Sequence, residues 1–252
     1  MIRIGEKANL KLQQKLKPYL LQRLKVDFLA DKLPKKQDFV VWTQLSKKQR
    51  SMYSSYVESG DSAVANVLTG VTTSPLEAVT WLKKLCGHPI LVKKGQHLSK
   101  KSFENMEPNE LKRDSSKLKV LEKLVERLSN LGHRTLIFSQ STKMLDIIER
   151  VLHRFLISRI DGSTKEKDRQ RRVDLFNNPH SDVEIMLLST KATGVGLTLT
   201  GADRAIIYDP SWNPAEDSQA VDRCYRIGQT KEVAVFRLIT AGSVEEKVND
   251  PT

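Results

Sequence analysis

Residues 185–230 read IMLLSTKATGVGLTLTGADRAIIYDPSWNPAEDSQAVDRCYRIGQT, and the fold follows from their pattern. Two short apolar runs stand out, Ile185 to Leu188 and Ala205 to Tyr208. Each is unbroken and closed by polar or turn residues, as expected of strands buried on both faces of a parallel sheet. Ser189-Thr190-Lys191, then Gly194 and Gly196, follow the first run. Asp209-Pro210 follow the second, and Asn213-Pro214 then open a predicted helix carrying Gln219, Asp222, Arg223 and Arg226. Ligand sites of open α/β sheets lie beyond the carboxyl ends of the strands. The stretch therefore reads as one lip of a site.

Outward from it, strand and helix patterns alternate at short intervals. Leu118, Leu121, Leu124, Val125 and Leu128 form a helical stripe, and Thr135 to Phe138 is a strand. The helix 142–152 turns Leu145, Ile148 and Val151 inward; a strand then ends near Ile160. After the turn Asp161-Gly162-Ser163-Thr164, the pair Ser163 and Glu166 has capping-box spacing, before a helix with Val173 inward. A last strand covers 233–238. This is the order of a doubly wound parallel α/β sheet.

The first third is mainly helical. Leu10, Leu12, Leu16, Leu20, Leu21, Leu24 and Phe28 face one side of a lysine-rich stretch that Pro18 divides. Such a face suits a membrane, a partner or nucleic acid, or simply packs on the main domain. Phe39 to Trp42 reads as a short strand, and Ser46 with Gln49 as a capping box. The helix 75–86 ends at Cys86-Gly87-His88-Pro89, a stop signal rather than a pair of metal ligands. Residues 93–114 read as a linker or surface loop.

The 252 residues carry a formal net charge of +12, which favours a polyanionic partner. The two cysteines form no CxxC pair, so neither a zinc site nor a disulfide framework is indicated. Neither a membrane span nor a signal peptide is visible. The sequence contains no GxGxxG and no GxxxxGK[ST], which argues against a dinucleotide domain and leaves no phosphate cradle.

Gln219, Arg223 and Arg226 are spaced four and three apart, which on a helix places them on one face. That face suits a polyphosphate, whose oxygens match guanidinium forks. It equally suits a solvated surface with Asp222 as a local partner. Asp161 to Thr164 and Ser189 to Lys191 offer hydroxyls and backbone amides for a phosphodiester chain, with Lys165, Lys167, Arg169, Arg171 and Arg172 nearby. Trp212, between two prolines, either stacks in the core of its loop, the favoured place, or faces a partner chain.

Taken together, these blocks resemble the second RecA-like lobe of the Swi2/Snf2 family of DNA translocases in helicase superfamily 2. Leu136 to Gln140, the DGST turn at 161–164, the run 188–199 and the run 209–229 carry the resemblance. Residues 85–89 and 199–204 look nearest to the ERCC6-like group, then to the Rad54-like group. The resemblance implies a RecA-like helicase C-terminal domain at 115–245, with a mainly helical appendage before it. That appendage divides into a segment leaving a first lobe (1–40) and a protrusion with linker (41–114); a truncated tail follows at 246–252. Arg223 and Arg226 resemble arginine fingers that reach ATP, Gln219 holds that interface, and Gly194 and Gly196 let the backbone approach the nucleotide. Ser139, Gln140, Ser163, Thr164, Thr190 and Lys191 resemble positions near the DNA backbone. Lys191, Thr193 and Thr198 depart from the family's usual Arg, Gly and Asn.

The implied cofactors are ATP and Mg2+, bound mainly by the first lobe. The implied partners are double-stranded DNA, nucleosomes and that first lobe, with no membrane, and the implied location is the nucleus. With the P-loop and DEAH-type acid expected on a first lobe before Met1, the chain reads as a piece of a larger protein or a truncated product. On that expectation it hydrolyses no ATP by itself. A non-catalytic module that binds nucleic acid or histones is the alternative.

Overall fold

The structure, a computed structural model, describes residues 2–20, 33–58, 75–93, 100–194 and 196–249. The expected positions Leu21, Leu24 and Phe28 and the last three residues lie outside them.

Six strands form one fully parallel sheet: β1 (Lys36–Thr43), β2 (Thr135–Ser139), β3 (Ile157–Ile160), β4 (Ile185–Ser189), β5 (Arg204–Ile207) and β6 (Val233–Thr240). Their order across the sheet is β1-β6-β5-β2-β4-β3. Every residue of β2 and β4 is buried, because these apolar runs have helices on both sides. Ten α-helices are described: α1 (Ile2–Leu16), α2 (Lys47–Glu58), α3 (Pro75–Gly87), α4 (Lys100–Glu104), α5 (Pro108–Asp114), α6 (Ser116–Asn130), α7 (Thr142–Val151), α8 (Glu166–Asn177), α9 (Pro214–Val221) and α10 (Val244–Asn249).

The strand period of two divides the core. Ile137, Leu187, Ile206 and Leu238 meet Leu118, Leu121 and Val125 of α6 and Leu145, Ile148 and Val151 of α7 on one face. Leu136, Phe138, Met186, Leu188 and Ile207 meet Val173 and Phe176 of α8 and Ala220 and Val221 of α9 on the other. β2 and β5 are neighbours, yet the helices that follow them lie on opposite faces. Their carboxyl ends thus flank the switch point of the sheet, where such folds place their sites.

The expected short strand at 39–42 is the eight-residue β1, paired with β6 from Lys36↔Val233 to Thr43↔Thr240. The boundary expected at 40/41 therefore cuts through a strand of the main sheet. The boundary at 114/115 is also no seam. Leu111 of α5 shares one core cluster with Leu118 of α6. The expected loop at 93–114 contains the helices α4 and α5.

Local chemistry explains the joints. At α2 the expected capping box forms: Gln49 N donates to Ser46 Oγ at 3.1 Å, and Ser46 N donates to Gln49 Oε1 at 3.0 Å. Gln49 Nε2 also donates to the carbonyls of Leu85 and Cys86, closing the end of α3. The second expected box is absent. Ser163 Oγ donates to Asp161 Oδ1 at 2.6 Å, and Lys165 occupies the N-cap of α8. The shorter Asx turn at Asp161 outcompetes the cap. His88 Nδ1 accepts from Ile90 N at 3.2 Å, so Nε2 carries the proton and donates to Leu111 O at 3.0 Å.

Behind β5 and β6 lies an ion pair the sequence did not announce. Lys117 of α6 and Glu245 of α10 are 1% and 0% exposed, with Nζ and Oε2 2.6 Å apart. Lys117 Nζ also donates to the carbonyls of Tyr208 and Leu238, and Glu245 Oε2 accepts from Thr240 N.

Removing one partner of a buried pair strands the other charge. Lys117→Met is expected to cost about 3–5 kcal/mol in urea unfolding, and adding Glu245→Gln to recover part of that loss. His88 gives a pH signature. Burial lowers its pKa to about 4 from 6.5, so the unfolded chain binds the extra proton between those values. Its contribution is complete above pH 6.5 and is lost as pH falls toward 4, about 3 kcal/mol in all. Asp209, raised by burial to about 7, has the opposite sign between its ordinary 3.8 and 7. The His88 contribution is therefore read as the pH-dependent difference in stability between wild type and His88→Gln.

Candidate functional site

Three loops converge at the switch point: 140–141 after β2, the 3-10 turn Thr190–Gly194 after β4, and 208–213 after β5. Asp209 joins the first and third. Its Oδ1 and Oδ2 accept from Gln140 N at 3.1 and 3.2 Å. Burial pushes its carboxyl up to about 7, against the opposing effects of the Ser139 hydroxyl and Lys117. Ser139 is fully buried, with its Oγ accepting from Ser141 N. The Ser139 hydroxyl thus supports the turn that presents Gln140 and does not itself reach the surface. Thr190 is likewise buried, whereas Lys191 is exposed.

The expected DNA-facing residues fall into two places. Gln140 and Lys191 line a cavity of 370 Å³ together with Lys83 and Lys84 of α3, Asp209 and Trp212. Ser163 and Thr164 line a cavity of 720 Å³ beside β3, with Arg159, Arg171 and Arg172. Arg159 is already held by Asp146, Glu149 and Asp161, and Arg172 donates to the Arg159 carbonyl. Of the two places expected for Trp212, the structure rejects the loop core: the ring is 45% exposed, with Lys83 Nζ 5.0 Å from its centroid.

The arginine face also needs correction. Asn213 caps α9 by accepting from Ala215 N, but α9 ends at Val221. Arg223 and Arg226 stand in the turns beyond it, so spacings of four and three no longer define a common helical face with exposed Gln219. Tertiary bonds hold this segment instead. Leu199 N donates to Arg223 O at 2.8 Å, tying the segment to the chain after Gly196. Gln229 is 5% exposed. Its Nε2 donates to Ala202 O, Cys224 O and Thr200 O, while its Oε1 accepts from Thr230 N and Lys231 N.

The two guanidiniums remain neighbours in this arrangement. Burial and the positive charge of Arg226 both lower the pKa of Arg223. Among the described residues, Arg223 Nε is buried with no hydrogen-bond partner. Gly196 has a φ of +29°, and Gly194 closes the 3-10 turn that packs on α9.

Several residues of this frame carry no sequence signal of their own. Asn177 of α8 accepts from Gly201 N and donates to Thr198 O. A Cβ on Gly201 would lie 2.8 Å from Phe176 O, so only glycine fits there. Asp209 and Gln229 lay within the quoted blocks, but their polar partners are visible only in three dimensions. Among the described residues, no group of His, Cys, Asp and Glu could hold a metal ion, and no helix is long and apolar enough to cross a membrane.

A parallel sheet with loops and arginines so arranged defines a RecA-like helicase lobe. The "Helicase conserved C-terminal domain" family model matches residues 116–228, and the "SNF2-related domain" model matches residues 3–91. The chain is 40% identical over 300 residues to a "DNA excision repair protein ERCC-6-like" of Danio rerio, covering 97% of this chain and 20% of that protein. It is 39% identical over 254 residues to the "DNA repair and recombination protein RAD26" of Saccharomyces cerevisiae, covering 98% and 22%. The crystal structure of the C-terminal part of the Fun30 ATPase domain superposes with a TM-score of 0.72 at 28% identity, covering 86% of this chain and 88% of that one.

The chain belongs to the Swi2/Snf2 family of helicase superfamily 2, close to its ERCC6, CSB and RAD26 relatives. It spans about a fifth of the length of the curated relatives it matches. The match at 3–91 overturns one expectation. Sequence belonging to the models of both ATPase lobes is present, so the chain is not a second lobe alone, and inactivity does not follow from a missing first lobe.

Gln229→Ala is expected to destabilise the protein by about 2–3 kcal/mol, since it leaves buried backbone groups without partners. Thermal or urea unfolding of the two proteins measures this.

Proposed function

We propose that the protein is a motor of the chromatin-remodelling and DNA-repair type, in which ATP hydrolysis drives movement along double-stranded DNA in the nucleus. The observation that carries the nucleotide half is the Arg223 guanidinium. A buried Nε without a partner, beside a second guanidinium, suits an anion with several oxygens. The γ-phosphate of ATP is such an anion, and Mg2+ would neutralise the remaining phosphate charge. Arg223 and Arg226 then hold charge that develops during phosphoryl transfer. Gln219 supports that interface, and Gly194 and Gly196 give the backbone room to approach.

The nucleic-acid half rests on charge and shape. The chain carries +12, and Gln140 and Lys191 share one cavity at the carboxyl ends of the strands. Ser163 and Thr164, beside Arg171 and Arg172, offer a second contact to the backbone. Ser139 and Thr190, both buried, act through the turns they hold. None of these loops presents a helix for reading base edges, so grip on phosphates is the expected mode. The curated relatives named for chromatin remodelling and excision repair agree with this reading.

The test is steady-state ATP hydrolysis with and without duplex DNA. Arg226→Ala is expected to lower the DNA-stimulated rate about a thousand-fold or more while ATP still binds. Full DNA-stimulated activity in that variant would refute the assignment of the arginines.

A further inference from the structure

Between Arg223 and Arg226 stand Cys224, a fully buried core residue, and Tyr225, whose side chain the motor reading does not use. The Tyr225 ring is partly buried against the core on the face of α8 and α9. Its hydroxyl reaches 191 residues back along the chain and donates to Pro34 O at 3.0 Å. Lys36 Nζ lies over the same ring, 5.9 Å from its centre.

The two ends of this contact differ in how firmly they are held. Pro34 stands at the entry to β1. The next carbonyl, Lys35 O, accepts from Val233 N at 3.0 Å, and from Lys36 onward β1 is paired with β6 along its whole length. Lys36 is fixed in turn by Asp38 at 3.2 Å, and Asp38 by Arg237 of β6 at 2.6 Å. The stretch from Asp222 to Gly228 consists of turns and bends, with neither a helix nor a ladder to set its course. Leu199 N holds it at Arg223 O, and Gln229 closes its far end. Tyr225 is the side chain that ties its middle to the sheet.

We propose that Tyr225 is a positioning residue: its hydroxyl, held by the Pro34 carbonyl, sets where Arg223 and Arg226 stand, and it acts through them on the rate of phosphoryl transfer. The proposal rests on the motor reading above. Guanidiniums that hold developing charge must stand where that charge appears, and a misplacement of about 1 Å costs up to about a hundred-fold in rate. Nucleotide binding in the ground state is less sensitive to that placement, so the hydroxyl affects turnover and not ATP affinity. Tyr225→Phe isolates this bond, because it keeps the ring, its packing and its contact with Lys36 and removes one O–H donor.

The experiment is steady-state ATP hydrolysis by the full chain with a 20-base-pair duplex. Tyr225→Phe is expected to lower the DNA-stimulated kcat about ten-fold, with KM for ATP within about two-fold and the urea midpoint within about 0.3 M of wild type. A binding measurement stands beside it. Mg2+, ADP and aluminium fluoride together mimic the phosphoryl group in transfer, and Tyr225→Phe should weaken that complex about ten-fold while ADP alone binds unchanged. In the Arg223→Ala/Arg226→Ala background, Tyr225→Phe should change neither quantity further, since the groups it positions are gone. Wild-type kcat and fluoride-complex affinity in Tyr225→Phe, or a loss that persists undiminished without the two arginines, would overturn the proposal and leave the motor reading intact. Absence of DNA-stimulated hydrolysis in wild type, or its full retention in Arg226→Ala, would instead overturn the motor reading, and this proposal with it.

Discussion

The contact between Lys117 and Glu245 is the constraint on which the site depends. Both groups are buried, and neither would be tolerated alone in an apolar interior. Together they bind α6 to α10. The ammonium also takes the carbonyls of Tyr208 and Leu238, at the carboxyl ends of β5 and β6. The residue after Tyr208 is Asp209, whose carboxylate holds Gln140 at the end of β2. One buried charge pair therefore fixes the height at which the switch-point loops leave the sheet.

A second set of bonds performs the same task on the opposite face. Gln229 gathers three carbonyls and two N–H groups, Asn177 clasps the chain around Gly201, and Leu199 donates to Arg223 O. Short loops tied at so many points lose little further entropy when a ligand arrives.

What could be read from the sequence was governed by range. The buried strands and the stripes of α6 and α7 were legible because their periods are local and strong. The capping box at Ser46 and Gln49 was legible for the same reason. At Ser163 the same spacing misled, because Asp161 offered the hydroxyl a nearer partner. The arginine spacing misled more seriously. Nothing in the run after Val221 forbids a helix, but the pull of Leu199 and Gln229 on that segment replaces it with turns. Lys117 and Glu245 could not be found at all, since a lysine and a glutamate 128 residues apart look like any other surface charges. The role expected of the arginines is independent of the helix and rests on their chemistry. The pairing of β1 with β6 was equally invisible, since its partners lie at opposite ends of the chain.

That pairing has a temporal consequence. The hydroxyl of Thr43 reaches the carbonyl of Ile239, 196 residues further on. At ribosomal speeds of about 5–20 residues per second, β1 waits roughly 10–40 s for the strand that completes it. During that interval β1, which carries Phe39, Val40 and Trp42, lacks its neighbour β6 and has both edges open to capture by another nascent chain. A polysome making this protein thus exposes one such strand for each chain in progress, and the density of ribosomes on the message becomes a determinant of how much of it folds.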